Sequence, residues 1–193
     1  MPKVVNRQER EREIARAAQT LIAEGGFAAI SLRAIAQTMG GSMTLVTHFY
    51  KTREELMRGI FKQMLVNFQE DLDEREEGAT PLERLHILLE WLLPLDEDSR
   101  HQEQGRVLLA GGTRTEPHAQ EFLDLMEKHM TGLLRDHLQG LVSPAEVEPV
   151  VAALRAVTNG IQLSAIEHPD KWPPEQQVAV LHRILGGLGL GVS

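Results

Sequence analysis

Two glycine pairs, at positions 25–26 and 40–41, divide the start of this chain into short segments. Apolar residues recur every three or four positions within each segment, which is the spacing of an amphipathic helix. Glycine readily adopts the positive φ that ends a helix. The pattern predicts a first helix that ends at the first pair, a second that Ser31 caps, a tight turn at Gly40 and a third that Ser42 opens.

The rest of the chain also reads as helix. It has no alternating runs of Val, Ile, Thr and Tyr, and long stretches are rich in Ala, Leu, Glu, Gln and Arg, so we expect no strand. Thr52 and Glu55 form a capping-box pattern, and prolines near the first helical position mark later starts after Thr80, Ser143 and Pro173. Helices are predicted near residues 53–75, 81–93, 99–110, 117–139, 144–167 and 174–188. The predicted fold class is all-α with about nine helices.

Composition limits the class of protein. With 193 residues, 42% of them hydrophobic and 25% charged, the chain can form a globular core, and the lack of cysteine excludes disulfides, a thiol nucleophile and Cys-ligated zinc. The first 18 residues carry charges where a signal peptide needs an apolar run. No segment approaches the roughly 20 apolar residues of a membrane span. We therefore expect a cytoplasmic protein without a membrane partner.

The charge is distributed unevenly along the chain. The net charge is −8, yet residues 1–56 contain eight Lys and Arg against six Asp and Glu, so the acidic excess lies in the remainder. A mildly basic start followed by an acidic body suggests that the start meets an anionic partner. The excess is too small to decide this alone.

The second and third predicted helices have the dimensions of a helix-turn-helix. On the third, Leu45, Val46, Phe49 and Tyr50 can pack against the first two helices. The residues left facing outward are Ser42, Met43, Thr44, Thr47 and His48. A face of short polar side chains is suited to base edges in a major groove about 12 Å wide.

The start of the predicted fourth helix offers a second contact with DNA. Its free backbone N–H groups and positive dipole end lie beside Lys51 and Arg53, which is a suitable arrangement for binding phosphate. The alternative is that Glu54 and Glu55 only complete the helix cap and that both basic side chains are solvated. Within the whole block from residue 10 to 56, the phosphate interpretation is favoured.

Residues 10–56, REREIARAAQTLIAEGGFAAISLRAIAQTMGGSMTLVTHFYKTREEL, resemble the N-terminal DNA-binding domain of TetR-type transcriptional repressors without a gap. The resemblance implies DNA contacts on the third helix at Ser42, Met43, Thr44, Thr47 and His48, with Arg33 also reaching the DNA, and phosphate contacts at Ser31, Lys51, Thr52 and Arg53. Two positions depart from the family pattern. Thr47 stands where tyrosine is common, and Gly41 stands where a branched apolar residue is common.

The same resemblance implies a non-enzymatic, ligand-responsive regulator without a cofactor or bound metal. Such a protein is a homodimer that binds a palindromic operator on double-stranded DNA and releases it when a small-molecule effector binds the C-terminal domain. We expect a DNA-binding domain over 1–56, a ligand-binding and dimerisation bundle over 57–193, and a connecting fourth helix at about 53–75. The last two helices would form the dimer interface, and their apolar faces are broad enough for a four-helix contact.

Polar or aromatic residues on otherwise apolar helix faces are the candidates for the effector site. They are His86, Trp91, Phe122, Met126, His129, Asn159 and Gln162. The alternative for each is ordinary core packing. The segment NGIQLSAIEHPDKWPPEQ, residues 159–176, distantly resembles the branch of the family that contains choline-responsive repressors, although no cage of aromatic side chains for a cationic ligand is evident.

Two other classes of function stay open at this point. A helical-bundle metalloenzyme with a carboxylate-bridged metal pair needs two Glu-x-x-His motifs, and the chain has one, Glu83 with His86. A helical interaction module that does not bind DNA would tolerate substitutions at Thr44, Thr47 and His48.

Overall fold

The computed structural model describes residues 7–26, 29–112 and 117–191. Within these residues the backbone forms nine helices and no strand, apart from an isolated bridge between Gln139 and Val142. The helices are α1 (Arg7–Gly25), α2 (Leu32–Thr38), α3 (Met43–Thr47), α4 (Arg53–Arg75), α5 (Pro81–Trp91), α6 (Glu97–Gly112), α7 (Pro117–Leu138), α8 (Val147–Glu167) and α9 (Pro174–Gly187). The predicted all-α class with about nine helices is confirmed. Across the described part of the chain, no helix combines the length and the apolar character needed to cross a membrane.

The chain divides into two compact units. The first unit comprises Met1–Glu70 and Gly105–Asp124, and the second comprises Asp71–Gln104 and Leu125–Ser193. The boundary after residue 56, between a DNA-binding and a ligand-binding domain, concerns function rather than compactness and stays a prediction.

Much of the core of the first unit is built from apolar side chains on the first four helices. α2 packs against both α1 and α3. The buried side chains are Ile14 and Ala18 from α1, Ile35 and Ala36 from α2, Val46 from α3, and Leu56, Met57 and Ile60 from α4. Further along α4, the ring of Phe61 stacks on that of Phe122 with 4.2 Å between the centroids. The apolar periodicity that predicted these helices therefore also identifies the face that each one buries.

The second unit has a leucine-rich core, with α9 packed against α5 and α8. The buried apolar side chains include Leu85, Leu88, Leu89, Leu134, Leu138, Leu154, Ile161, Leu181 and Leu185. A buried carboxylate, Glu76, accepts a hydrogen bond from Arg84 Nε at 2.8 Å and lies 2.6 Å from His137 Nε2. Because an unpaired buried carboxylate is costly, these two partners are needed where the core meets the end of α4.

Several helix starts agree with the predicted caps. The Thr80 hydroxyl accepts from the Glu83 N–H while the Glu83 carboxylate accepts from the Thr80 N–H, which completes the capping box of α5. The Glu83 carboxylate also accepts from the Thr80 hydroxyl at 2.6 Å, and this bond, together with that from the Thr80 N–H, lowers the pKa of Glu83. α4 begins at Arg53 and α9 at Pro174, both as predicted.

Two predicted starts are wrong. α8 begins at Val147 rather than 144, because the Glu146 N–H bonds to the Ser143 carbonyl at 2.9 Å and closes a tight turn before the helix. α6 begins at Glu97 rather than 99. Its first turn is stabilised by Asp96, whose carboxylate accepts from the Ser99 N–H at 2.7 Å and the Ser99 hydroxyl at 2.8 Å, and these bonds lower the pKa of Asp96.

Tyr50, the single tyrosine of the chain, follows α3 and packs on α4. A β-carbon built on Gly59 would lie 2.2 Å from Tyr50 Cε1 and 2.4 Å from the hydroxyl oxygen. The tyrosine ring therefore lies directly on the bare backbone of α4. Burial is the main cause of a raised pKa of Tyr50. This contact fixes the angle at which the chain leaves α3.

We expect Gly59→Ala not to stabilise the protein, although alanine ordinarily gains about 1 kcal/mol over glycine inside a helix. The new methyl group would displace the Tyr50 ring. In the Tyr50→Ala background the displacement is absent, and Gly59→Ala should raise the free energy of unfolding by about 1 kcal/mol. Denaturant unfolding of the four proteins at one concentration measures the coupling. Equal effects of Gly59→Ala in both backgrounds would contradict the proposed contact.

Candidate nucleic-acid interface and effector site

α3 is positioned by one buried side chain and by the turn that precedes it. Val46 is fully buried, and α3 packs on α2. Gly40 has φ 63°, and the Gly41 N–H donates to the Ala36 carbonyl at 2.9 Å. A side chain at position 40 would be strained at this φ, so the tight turn requires glycine. A helix of only five residues is thus oriented by its neighbours.

The opposite face of α3 is exposed. Ser42, Met43, Thr44 and His48 are exposed, and 52% of Met43 is accessible even though it is apolar. Thr47 differs, because it is half-buried and its hydroxyl donates to the Thr44 carbonyl at 3.2 Å. Four of the five predicted base-contacting residues therefore share one accessible surface, while the hydroxyl of Thr47 is already used within the helix.

The residues predicted on α2 are both exposed. The Ser31 hydroxyl accepts from the Ala34 N–H at 3.0 Å and caps α2, as expected. Its cap role explains a serine here without DNA. Arg33 is the second residue of α2 and is exposed.

The start of α4 combines a helix cap with two basic side chains. The Thr52 hydroxyl accepts from the Glu55 N–H at 3.1 Å, and the Glu55 carboxylate accepts from the Lys51 N–H at 2.8 Å. The Arg53 Nε donates to the Ile30 carbonyl at 3.1 Å. Because Glu55 already occupies part of the helix terminus, any attraction for phosphate there depends on the Lys51 and Arg53 side chains. The cap is observed, and the phosphate role stays a prediction.

The candidates for the effector site on α5 both have polar partners. His86 is buried, and its Nε2 lies 2.7 Å from the Leu190 carbonyl oxygen. The half-buried Trp91 donates from Nε1 to Asp71 Oδ2 at 2.6 Å. These contacts explain why polar residues are tolerated among the leucines of α5.

The candidates on α7 belong to different units. Phe122 is in the first unit, where it stacks on Phe61. Met126 and His129 are half-buried in the second unit. His129 Nε2 is a buried atom without a hydrogen-bond partner among the described residues, and burial lowers the pKa of His129. A neutral imidazole is therefore favoured at this position.

The two candidates on α8 present buried oxygens without partners. Asn159 and Gln162 lie three residues apart and so share a helix face. Neither Asn159 Oδ1 nor Gln162 Oε1 has a hydrogen-bond donor among the described residues, although the Gln162 amide donates to the Leu92 carbonyl at 2.5 Å. Two buried acceptors on one helix that lack donors among the described residues are the strongest sign of a polar binding site in the second unit.

A third side-chain amide of this kind, that of Gln177, was not predicted from the sequence. Gln177 on α9 is buried, and its amide donates to the Trp172 carbonyl at 2.9 Å and to the Pro94 carbonyl at 3.3 Å. Its Oε1 also lacks a partner within the described ranges. One signal was available, because Pro94 cannot continue α5 and the carbonyls before it need donors from elsewhere. The local sequence does not show which side chains donate to these carbonyls.

The sequence is similar to that of known transcriptional regulators, both in its C-terminal part and over most of its length. Residues 81–189 match the family model described as the C-terminal domain of BetI-type transcriptional repressors. The HTH-type transcriptional regulator BetI of Rhizobium meliloti is 21% identical over 164 residues, which cover 84% of this chain and 81% of that protein.

Solved structures have the same fold. A transcriptional regulator from Rhodococcus sp. Rha1 is 28% identical, with a TM-score of 0.72 over 92% of this chain and 96% of that one. A regulator from Saccharomonospora viridis, solved in complex with choline, is 16% identical, with a TM-score of 0.72 and the same coverage. The resemblance first noted over residues 10–56 is thereby extended through the C-terminal helices, and the chain belongs to the TetR family of ligand-responsive, DNA-binding transcriptional regulators, with a C-terminal domain of the BetI repressor type.

Proposed function

We propose that two copies of this chain bind a palindromic operator, that α3 of each copy enters the major groove, and that a small molecule in the second unit weakens this binding. The observation that carries the proposal is the exposed polar face of α3, opposite the buried Val46. Regulators of this family bind DNA and dimerise.

Small side chains allow the backbone of α3 to approach the bases closely. Thr44 can donate and accept a hydrogen bond, and its methyl group can contact a thymine methyl. The imidazole of His48 packs edge-on against Phe49 with 5.4 Å between the ring centroids, so its orientation is restricted before DNA binds. Restricted side chains lose less entropy on binding and discriminate between bases better.

Phosphate contacts would come from exposed basic side chains beside α3. Arg33 and Lys51 are exposed, and Arg53 is half-buried next to Ile30. Since the whole chain carries a net charge of −8, the acidic body opposes nonspecific binding to DNA. A basic patch limited to the start of the chain would then favour one orientation on the duplex.

A face of α8 is suited to contact with a second copy. Small or apolar residues that are exposed recur on it at helical spacing: Ala152, Ala156, Gly160 and Leu163. A β-carbon on Gly160 would meet nothing within 4 Å, so packing within this chain does not explain a glycine that costs helix stability. Close approach of a helix from a partner subunit does explain it, and it agrees with the predicted interface on the last two helices.

The effector should carry hydrogen-bond donors. Asn159 Oδ1 and Gln162 Oε1 are buried acceptors without partners in the described residues, and such an atom costs about 1–3 kcal/mol until a donor reaches it. A hydroxyl or N–H group on a small molecule would remove this cost. Choline, the ligand of the Saccharomonospora viridis regulator, carries a hydroxyl and is the first compound to test.

Release of the operator then follows from a shift between two dimer states. An effector that binds the DNA-incompetent state more tightly moves the population toward it, and one that binds both equally changes nothing. A hundredfold difference in affinity is worth about 2.7 kcal/mol, which is enough to reduce operator occupancy strongly.

We expect Thr44→Ala and His48→Ala to relax base preference by about 1–3 kcal/mol at the base each one contacts. Thr47→Ala is the matched comparison. It should change preference less, because the Thr47 hydroxyl already donates to the Thr44 carbonyl. Selection from a randomised duplex pool, followed by sequencing, measures preference at every position. If all three variants left both affinity and preference unchanged, other residues would contact the bases; a wild-type protein that selects no sequence would favour a module that does not bind DNA.

Lys51→Gln tests the predicted contact with a DNA phosphate. It should weaken binding to all sequences alike and make the slope of log affinity against log salt shallower by about 2, because each lost phosphate contact contributes about 0.9 and the dimer loses two. Lys171→Gln, in the exposed segment between α8 and α9, should leave the slope unchanged.

We expect Ala156→Glu to dissociate the dimer, because the substitution places a carboxylate on the proposed interface. Light scattering coupled to size-exclusion chromatography should then give a mass near that of one chain, 21.6 kDa, and operator affinity should fall. Leu108→Glu changes an exposed leucine on α6 and should leave the dimer intact. A dimeric Ala156→Glu protein with normal operator affinity would place the interface elsewhere.

We expect Asn159→Leu to leave the melting temperature of the ligand-free protein unchanged or higher, because it removes a buried oxygen without a donor. The same variant should lose most of the thermal stabilisation that an effector gives the wild type. Thermal-shift measurements with choline and with ethyltrimethylammonium, which lacks the hydroxyl, test the need for a donor. A large drop in melting temperature without ligand would instead make Asn159 a structural residue.

A further inference from the structure

Three side chains of the second unit, from α5 and α9, form a cluster that includes one predicted effector-site residue, His86, and two residues with no role so far. His86 and Glu90 lie four residues apart on α5, and His182 lies on α9. One nitrogen or carboxylate oxygen from each lies within 4.8 Å of those of the other two. His182 Nε2 is 2.6 Å from Glu90 Oε1, and the two imidazole rings meet edge to face with 5.2 Å between centroids.

The donor set selects among metal ions. Two imidazoles with one carboxylate form a common protein ligand set for zinc, which prefers nitrogen and sulfur donors and four-coordinate geometry. Zinc–ligand distances near 2.0–2.2 Å separate neighbouring ligand atoms by about 3–3.5 Å in a tetrahedral site. The ligand atoms of the observed cluster, which lie within 4.8 Å of one another, must move closer together by side-chain rotation when the ion binds. Ca²⁺ and Mg²⁺, which prefer oxygen ligands, fit it poorly.

The surroundings of His86 supply a second observation. His86 is buried, and the Leu190 carbonyl oxygen lies 2.7 Å from its Nε2. When the Nε2 hydrogen is donated to this carbonyl, the lone pair of the ring is on Nδ1. Metal-binding histidines characteristically donate their other ring N–H to a carbonyl or carboxylate, which fixes the tautomer and the ring orientation. Leu190 itself is buried, so this carbonyl is held in place.

Access and charge also suit a metal ion. The side chains of His182 and Glu90 are 39% and 37% exposed, so an ion can enter from solvent and keep a water molecule as its fourth ligand. The Glu90 carboxylate supplies negative charge beside the two imidazole rings. A second close histidine–glutamate pair in the described part of this unit, His137 with Glu76, is almost fully buried and has Arg84 as its third neighbour, which would repel a cation.

We propose that His86, Glu90 and His182 bind one Zn²⁺ per chain and that the ion joins α9 to α5. The proposal uses no residue of the DNA-binding face and neither Asn159 nor Gln162, so it can hold or fail independently of the proposed function. On binding, the proton shared by His182 Nε2 and Glu90 moves to solvent or to His182 Nδ1, and each residue then bonds to the metal. The ion therefore stabilises the folded second unit in proportion to its concentration over the dissociation constant.

The experiment uses the full-length protein after chelator treatment and dialysis. Titration with ZnCl₂, followed by calorimetry and by metal analysis after desalting, should give one ion per chain. Zinc at 100 times the dissociation constant should raise the melting temperature by about 5–10 °C. Co²⁺ in place of Zn²⁺ should give the visible absorption of a four- or five-coordinate site with nitrogen ligands.

Variants separate coordination from ordinary packing. Glu90→Gln can still accept a hydrogen bond from His182 but loses the anionic ligand, and His182→Gln removes one imidazole. Each should weaken zinc binding at least about tenfold and abolish the cobalt spectrum. His168→Gln removes an exposed histidine at the end of α8 and should bind as the wild type does.

Circular dichroism of each metal-free variant shows whether it is folded, and Glu90→Gln is the variant least expected to perturb the fold. Wild-type protein that retains no zinc after desalting would overturn the proposal. Equal zinc binding by wild type, Glu90→Gln and His182→Gln would overturn it as well, since the ion would then bind elsewhere.

Discussion

The burial of Val46 is the interaction on which the DNA-binding surface depends. α3 has five residues, far fewer than the 12 to 15 or so that an isolated helix needs to be stable in water. It exists because its apolar side packs on α2, whose own Ile35 and Ala36 are buried. That packing fixes the rotation of α3 about its axis, so the side opposite Val46 must face solvent. The position of Tyr50 on Gly59 then sets where the chain goes next, and Lys51 and Arg53 are placed beside α3 as a result.

The second unit uses buried polar groups differently. The pair of Glu76 and His137, with Arg84, is fully satisfied and stabilises one arrangement of the core. The amides of Gln162 and Gln177 satisfy carbonyls near the Pro94 break, but each leaves its own oxygen without a donor in the described residues. Satisfied groups add rigidity, whereas unsatisfied acceptors retain binding free energy that a ligand can use. A sensor domain needs both kinds.

Local patterns were sufficient to predict most of the helices. Capping chemistry within four residues identified the starts at Arg53 and Pro81, because the two partners are always brought together by the helix itself. It failed at Ser143, because the proline that follows is compatible with either a helix or a turn that precedes one. It also failed for α6, because the bonds between Asp96 and Ser99 start the helix at Glu97, two residues before the predicted start. The exposed face of α3 was also predictable, since it follows from the helical period and one buried side.

Contacts between distant residues could not be predicted in this way. His86 and His182 are 96 positions apart, and Glu76 and His137 are 61 apart, so nothing in local spacing connects them. The i, i+4 spacing of His86 and Glu90 is a weak signal that many helices contain by chance. Tertiary packing alone decides which histidine arrives opposite that pair. The same limit applies to the unsatisfied oxygens, because a missing partner can be recognised only once all possible partners are positioned.

Thermodynamic linkage decides whether a zinc ion at this cluster could regulate as well as stabilise. His86, Glu90 and His182 all belong to the second unit, and the ion would join α5 to α9 within it. If that arrangement is the same in the DNA-competent and DNA-incompetent dimers, zinc binds both equally and leaves operator affinity unchanged, however tightly it binds. Zinc becomes an effector only if α9 moves relative to α5 between the two states. The difference in zinc affinity then equals the change that zinc causes in operator affinity, because the coupling is reciprocal.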